Sequence, residues 1–139
     1  MTLPTLAPGL IHSESMTVAD RHTVPHVAPD WPGFAAMPPV LATAMMVGFI
    51  EQTCIQALRP YLPPEQRTVG THVDVSHVAP TPAGMAITAR IELVAVDGRM
   101  LEFRVVCHDE AGLIGEGMHR RAIIDADRFM QRLAQKAGK

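Results

Sequence analysis

Residues 41–58, LATAMMVGFIEQTCIQAL, form an apolar run too long for an ordinary strand. Between Asp30 and Arg59 the only residue charged at neutral pH is Glu51. Pro38-Pro39 before the run and Arg59-Pro60 after it bound one helix, because proline blocks helix continuation. A helix apolar on nearly every side has to be wrapped by other structure. Burying a lone carboxylate there is costly unless it is paired or hydrogen-bonded. Glu51 is therefore either a wall of a pocket or an exposed interruption of the apolar pattern.

The rest of the chain supplies strands for the wrapping. Residues 1–9 are rich in Pro and Thr, and 10–18 form a candidate first strand with weak alternation. Residues 21–39 carry His22, His26, Trp31, Phe34 and five prolines, the signature of an ordered loop or lid with one short helical turn. Its aromatic residues either plug one end of the core or line a ligand channel. After the helix, 61–68 reads as a connection, and 71–78 alternates with Val73, Val75 and His77 on the inward face. Met85, Ile87, Ala89, Ile91, Leu93 and Ala95 form one face of a long strand, and Asp97-Gly98 marks a hairpin into Leu101, Phe103, Val105 and Cys107. In 113–124, Gly115, Gly117, His119 and Arg121 share a face whose small residues leave room for a neighbour. Asp125 is placed to cap a final helix with Arg128, Gln131, Arg132, Gln135 and Lys136 on its surface.

Short turns between consecutive strands make the sheet largely antiparallel, with the helix across one face: an α+β domain. A length of 139 residues suits one domain, read as 1–20, a tail with a candidate first strand, and 21–139, the lid loop, central helix, four strands and C-terminal helix. So small a sheet leaves edges that a second copy can extend, which predicts a homodimer. A formal net charge of -2 gives no broad cationic surface for nucleic acid. No secretion signal is apparent, and the apolar helix is too short, and too interrupted by Glu51, Gln52 and Gln56, for a membrane span. The expected location is cytoplasmic. Cys54 and Cys107 are no disulfide framework and read as buried thiols.

Thr43, Glu51 and His77 are the polar groups least easily explained by folding. The Thr43 hydroxyl can bond nearby backbone at the helix start, and His77 can be a satisfied core or interface histidine. Acyl transfer gives all three a reason to converge. An imidazole accepts a proton from a hydroxyl or water, a carboxylate orients the imidazole or activates water, and a threonine hydroxyl becomes a nucleophile beside such a base. A backbone N–H at Gly70 could stabilise an oxyanion, since glycine permits close approach. Arg121 could bind a carboxylate or phosphate, an ordinary salt bridge being the more frequent role of a strand arginine. No metal site is expected. His22 and His26 lie in a proline-rich loop without Cys or acid motifs, and His72 with Asp74 reads as an outer polar cluster.

From about residue 23 through 129 the chain resembles the fluoroacetyl-coenzyme A thioesterase family of the hot dog superfamily. The words that carry the resemblance are Ala42-Thr43, Met46-Val47-Gly48, Glu51, Cys54 and Pro60-Tyr61-Leu62. Gly70-Thr71, His77, Ala79, Thr81-Pro82, Gly84, Asp97-Gly98-Arg99, His108-Asp109, Gly115, Gly117, His119 and Arg121 follow in order, with Arg120 replacing an acidic residue. The resemblance implies a hot dog fold, a curved sheet wrapped around the central helix. It implies hydrolysis of an acyl-coenzyme A thioester to a carboxylate and free coenzyme A. The implied catalytic set is Thr43, Glu51 and His77, built across a dimer interface, with Gly70 and Arg121 near the acyl group. Coenzyme A enters as part of the substrate, and no separate cofactor is implied. Phe34 is similar to one aromatic of the family's acyl pocket, while Met37 stands in place of a second phenylalanine. A thioether changes the shape and electrostatics of the pocket, so a broader or different small acyl group is expected. The rival readings are a hot dog enoyl- or hydroxyacyl-coenzyme A hydratase or dehydratase, and a non-catalytic acyl-coenzyme A binding protein.

Overall fold

The computed structural model describes residues 2–138. Its strands are β1 (Ile11–Thr17), β2 (Gln66–Val75), β3 (Ala86–Asp97), β4 (Met100–Asp109) and β5 (Leu113–Asp125). Two four-residue helices, α1 (Val24–Val27) and α2 (Pro32–Ala35), precede the long α3 (Thr43–Leu58), and α4 (Ala126–Lys136) ends the chain. All pairings are antiparallel, in the order β1-β3-β4-β5-β2, so β1 and β2 are the edges. Short turns join the β3–β4 and β4–β5 neighbours, the first at the hairpin expected at Asp97-Gly98, whereas β2 pairs with β5 and not with β3. The α+β expectation of an antiparallel sheet around one long helix is met.

Alternation decides what each strand buries. Ile87, Ala89, Ile91 and Leu93 of β3 and Leu101, Phe103, Val105 and Cys107 of β4 are buried and stack on Met46, Ile50, Cys54 and Leu58 of α3. Each large apolar side chain removed from water here contributes about 1.5–3 kcal/mol. Glu102 and Arg104 face the other way, paired with Arg120 at 2.9 Å and Glu92 at 3.7 Å. One face assignment changes: the register shifts between Leu93 and Ala95, so Ala95 stands opposite Glu102 and Val96 opposite Leu101. The extra residue of a β-bulge moves everything after it to the other face. Ala95, expected inward, is therefore on the outer face.

Both ends of β2, the lid and the cap of α4 also differ from expectation. β2 already begins at Gln66, inside the stretch read as a connection, because Pro63 and Pro64 break only the turn before it. It ends at Val75, which leaves His77 beyond the strand. The lid holds two four-residue helical turns, neither with a buried residue, and opens on a 3-10 turn, Asp20–His22, in which His22 is buried. Finally, Asp125 occupies the N-cap position of α4 without a side-chain cap bond, its carboxylate lying 3.3 Å from Arg99 instead.

The long helix is wrapped on one side only. Met46, Ile50, Thr53, Cys54, Ala57 and Leu58 are buried at helical spacing, whereas Ala44, Gly48, Gln52 and Ile55 form an exposed stripe. The five strands cover one face of α3, and the face bearing Ala44, Gly48, Gln52 and Ile55 stays open within one chain.

Candidate active site

Thr43 is the first residue of α3, and three contacts fix that helix end. The Leu41 N–H donates to the Thr81 carbonyl at 2.8 Å and the Ala42 N–H to the His22 carbonyl at 2.9 Å. The Thr81 hydroxyl is itself bonded to Asp109 at 2.8 Å. The Thr43 hydroxyl does not bond to neighbouring backbone; it lies 2.7 Å from Nδ1 of His77.

His77 is set by the segment that continues β2 along β5. The Ser76 N–H donates to the Glu116 carbonyl at 2.9 Å and the Val78 N–H to the Ile114 carbonyl at 2.7 Å. A Cβ at Gly115 would overlap the Ser76 carbonyl, and one at Gly117 would overlap that of Asp74. The two glycines thus leave room for the backbone that delivers His77. Nε2 of His77 is buried and has no hydrogen-bond partner among the described residues. Burial lowers the His77 pKa, which keeps the imidazole neutral near pH 7.

Glu51 lies eight positions further along α3, roughly 12 Å along its axis, and belongs to a second cluster. Arg121 Nη1 donates to its carboxylate at 2.7 Å. Arg121 is 2% exposed while the Glu51 side chain is 37% exposed, so one partner is sealed in protein and the other still meets solvent. The remaining guanidinium edge is also occupied: Nε donates to the Thr68 hydroxyl and Nη2 to the Thr68 carbonyl, both at 2.9 Å. Nη1 lies 3.1 Å from Nε2 of His119, whose Nδ1 is 2.8 Å from the His72 carbonyl. A carbonyl only accepts, so the His119 proton is on Nδ1 and its lone pair on Nε2. Burial first, and then the Arg121 charge, lower the His119 pKa, outweighing the opposing effect of the His72 bond. Gly70 pairs with Arg121 across the sheet, and a Cβ there would sit 2.7 Å from Glu51 Oε2.

The site residues expected from sequence thus fall into two groups within one chain. Thr43 with His77 is one; Glu51, Arg121 and Gly70 form the other. Phe34 and Met37 belong to neither: Phe34 is half-buried against Trp31, their ring centroids 5.2 Å apart, and Met37 is 48% exposed. Thr68 and the bonding role of His119 escaped sequence reading. The face shared by His119 and Arg121 was a signal for one; nothing marked Thr68 inside a proline-rich connection. A groove of about 610 Å³, lined by Ile55, Leu58, Arg59, Leu62, Arg67 and Thr68, reaches this second cluster through Thr68. Among the described residues no three His, Cys, Asp or Glu side chains gather to hold a metal ion.

The chain as a whole is similar to known proteins. Fluoroacetyl-CoA thioesterase from Streptantibioticus cattleyicolor is 41% identical over 124 residues, 89% of each chain. A solved structure of the fluoroacetyl-CoA thioesterase superposes with a TM-score of 0.93 at 39% identity, covering 96% of this chain and 98% of that one. A thioesterase superfamily member from Thermus thermophilus superposes at 0.81 with 23% identity over 99% and 97% of the two chains. A hot-dog-like protein from Thermanaerovibrio acidaminovorans does so at 0.78 with 19% identity over 93% and 91%; these two speak for the hot dog fold alone. Residues 18–127 match the family described as Fluoroacetyl-CoA-specific thioesterase, and the chain belongs to that family.

Proposed function

We propose that this protein hydrolyses an acyl-coenzyme A thioester to a carboxylate and free coenzyme A. The observation that carries the reading is the 2.7 Å contact between the Thr43 hydroxyl and His77 Nδ1. A neutral imidazole at that distance accepts the hydroxyl proton as the threonine oxygen, or a water in its place, attacks the thioester carbonyl. The carbon–sulfur bond breaks, and coenzyme A leaves with a proton returned by His77. Glu51, held by the Arg121 guanidinium at 2.7 Å, assists the attack of water that releases the acid. Gly70, on the strand above it, offers backbone close to the acyl carbonyl. No cofactor beyond the coenzyme A of the substrate enters this scheme, and cytoplasmic action belongs to the same proposal.

A homodimer completes the site in this reading. The open stripe of Ala44, Gly48, Gln52 and Ile55 supports it. So does Val73, which stands opposite His119 on the inner face of edge strand β2 yet is 47% exposed. A second copy against that edge covers both and sets one copy's Glu51 beside its partner's Thr43–His77 pair. Met37, in the place of a family phenylalanine, supports a small acyl group other than fluoroacetyl, or a broader range of them.

A thiol-release assay with acetyl-, fluoroacetyl- and longer or aryl acyl-coenzyme A, run beside His77→Ala, tests the proposal. Release by the native protein that disappears in the variant is expected. No release from any substrate would sink it and favour a hydratase or a binding protein.

A further inference from the structure

We propose that His119 is a positioning residue for this reaction: its Nε2 lone pair sets the Arg121 guanidinium so that Nη1 is presented to Glu51. The inference rests on the reading of Glu51 as the carboxylate that assists hydrolysis.

A guanidinium is planar, and the two N–H bonds at Nη1 diverge by a fixed angle. Thr68 holds the Nε–Nη2 edge at 2.9 Å on both bonds. At Nη1 one N–H points to His119 Nε2 at 3.1 Å and the other to Glu51 at 2.7 Å. Filling the first direction leaves the second aimed at the carboxylate. His119 can fill it only as an acceptor, and its single proton is committed to the His72 carbonyl. The ring is 1% exposed, so water does not take its place. Phe103 of β4 lies directly opposite it, and a Cβ on Gly70 of β2 would come within 3.3 Å of its Cε1, so the ring is held between neighbours.

The same geometry makes the device sensitive to acid. The charged or titratable groups facing His119 are Arg121 on its own strand, Glu51 on α3 and His72 on β2. A proton on Nε2 would turn the acceptor into a donor against the Nη1–H of a cation, and Arg121 would lose its setting.

Two variants separate the ring's functions. His119→Gln places an amide oxygen near the Nε2 position and keeps the acceptor toward Arg121. His119→Asn keeps the donor to His72 and removes the acceptor. Each loses one hydrogen bond, so similar shifts of Tm are expected, whereas kcat should fall about tenfold to a hundredfold in His119→Asn alone with KM little changed. In a Glu51→Gln background the Asn substitution should cost nothing further, because it acts through that carboxylate. Equal kcat for the two His119 variants, or additive losses in the double variant, would overturn the inference. A fully active Glu51→Gln would sink the reading of Glu51 and this inference with it; an inactive Glu51→Gln beside a fully active His119→Asn would sink the inference alone. A measurement on the native protein stands apart from the folding of any variant: ¹⁵N shifts of the His119 ring should report the Nδ1–H tautomer at neutral pH. The Nε2–H tautomer there would overturn the proposal.

Discussion

The Thr43 hydroxyl and His77 Nδ1 are 2.7 Å apart, although 34 positions separate them in the chain. One begins the central helix and the other follows an edge strand, so the contact exists only because the β2–β5 ladder, extended by the Ser76 and Val78 bonds, delivers His77 to the helix end.

Thr43→Ala and His77→Ala should each lower kcat/KM by about a hundredfold or more, the usual range for losing a positioned base or its nucleophile. Thr43→Ser keeps the oxygen and should retain much of the rate. Steady-state thiol release measures all three. An unimpaired Thr43→Ala with an inactive His77→Ala would leave direct water attack as the route.

Acid should remove activity and stability over neighbouring ranges. His77 acts as a base only when neutral, and burial holds its pKa below the ordinary 6.5. The acidic limb of the kcat/KM profile should therefore have its midpoint below pH 6.5; a midpoint above that value would contradict the assignment. For stability, His22, His77 and His119 all have lowered pKa values, each chiefly through burial, with Arg21 adding to the effect at His22 and Arg121 at His119. Between the folded values and 6.5 the unfolded chain binds more protons than the native one. Stability is then fully present above pH 6.5 and declines as pH falls through the folded pKa values, which urea titrations at stepped pH would follow.

Gly70→Ala should leave the fold intact and damage the reaction. The new Cβ would sit 2.7 Å from Glu51 Oε2, an atom held by Arg121. Overpacking of this kind costs about 1–3 kcal/mol. Shifting the carboxylate should lower kcat more than it raises KM, and a native-like kcat would show that Glu51 need not stay where Arg121 holds it.

Gly48→Arg tests the second copy. A Cβ at Gly48 meets nothing within 4 Å in one chain, so a large side chain is tolerated there by an isolated protomer. Sedimentation should show a folded monomer with little turnover. A dimer of undiminished activity would place the interface elsewhere.

The two cysteines should be silent in a thiol-release assay. Burial pushes the Cys54 thiol up to about 12 and that of Cys107 to about 11, so neither supplies thiolate at neutral pH. An aromatic disulfide reagent should titrate them only after unfolding; prompt reaction in the native protein would show that these sites open.

Much of this architecture was legible in the sequence because its signals are local. The run from Leu41 to Leu58 with Pro60 after it makes a helix whatever surrounds it, and alternation in Ile87, Ala89, Ile91 and Leu93 marks an inward face without reference to any partner. Thr43, Glu51 and His77 stood out because each is polar where its neighbours are apolar. What only the tertiary structure decided depends on register. Between Gly70 and His72 the pairing of β2 with β5 skips Thr71, a bulge that no residue type announces. It puts both Gly70 and Val73 on the inner face, opposite Arg121 and His119. The sequence alone left Arg121 free to meet a substrate anion or to form an ordinary salt bridge. Its partners Glu51, Thr68 and His119 come from two strands and a helix, and their meeting is set by how the sheet pairs and curls over α3. Residue type determined which groups can do chemistry, whereas strand register determined which of them touch.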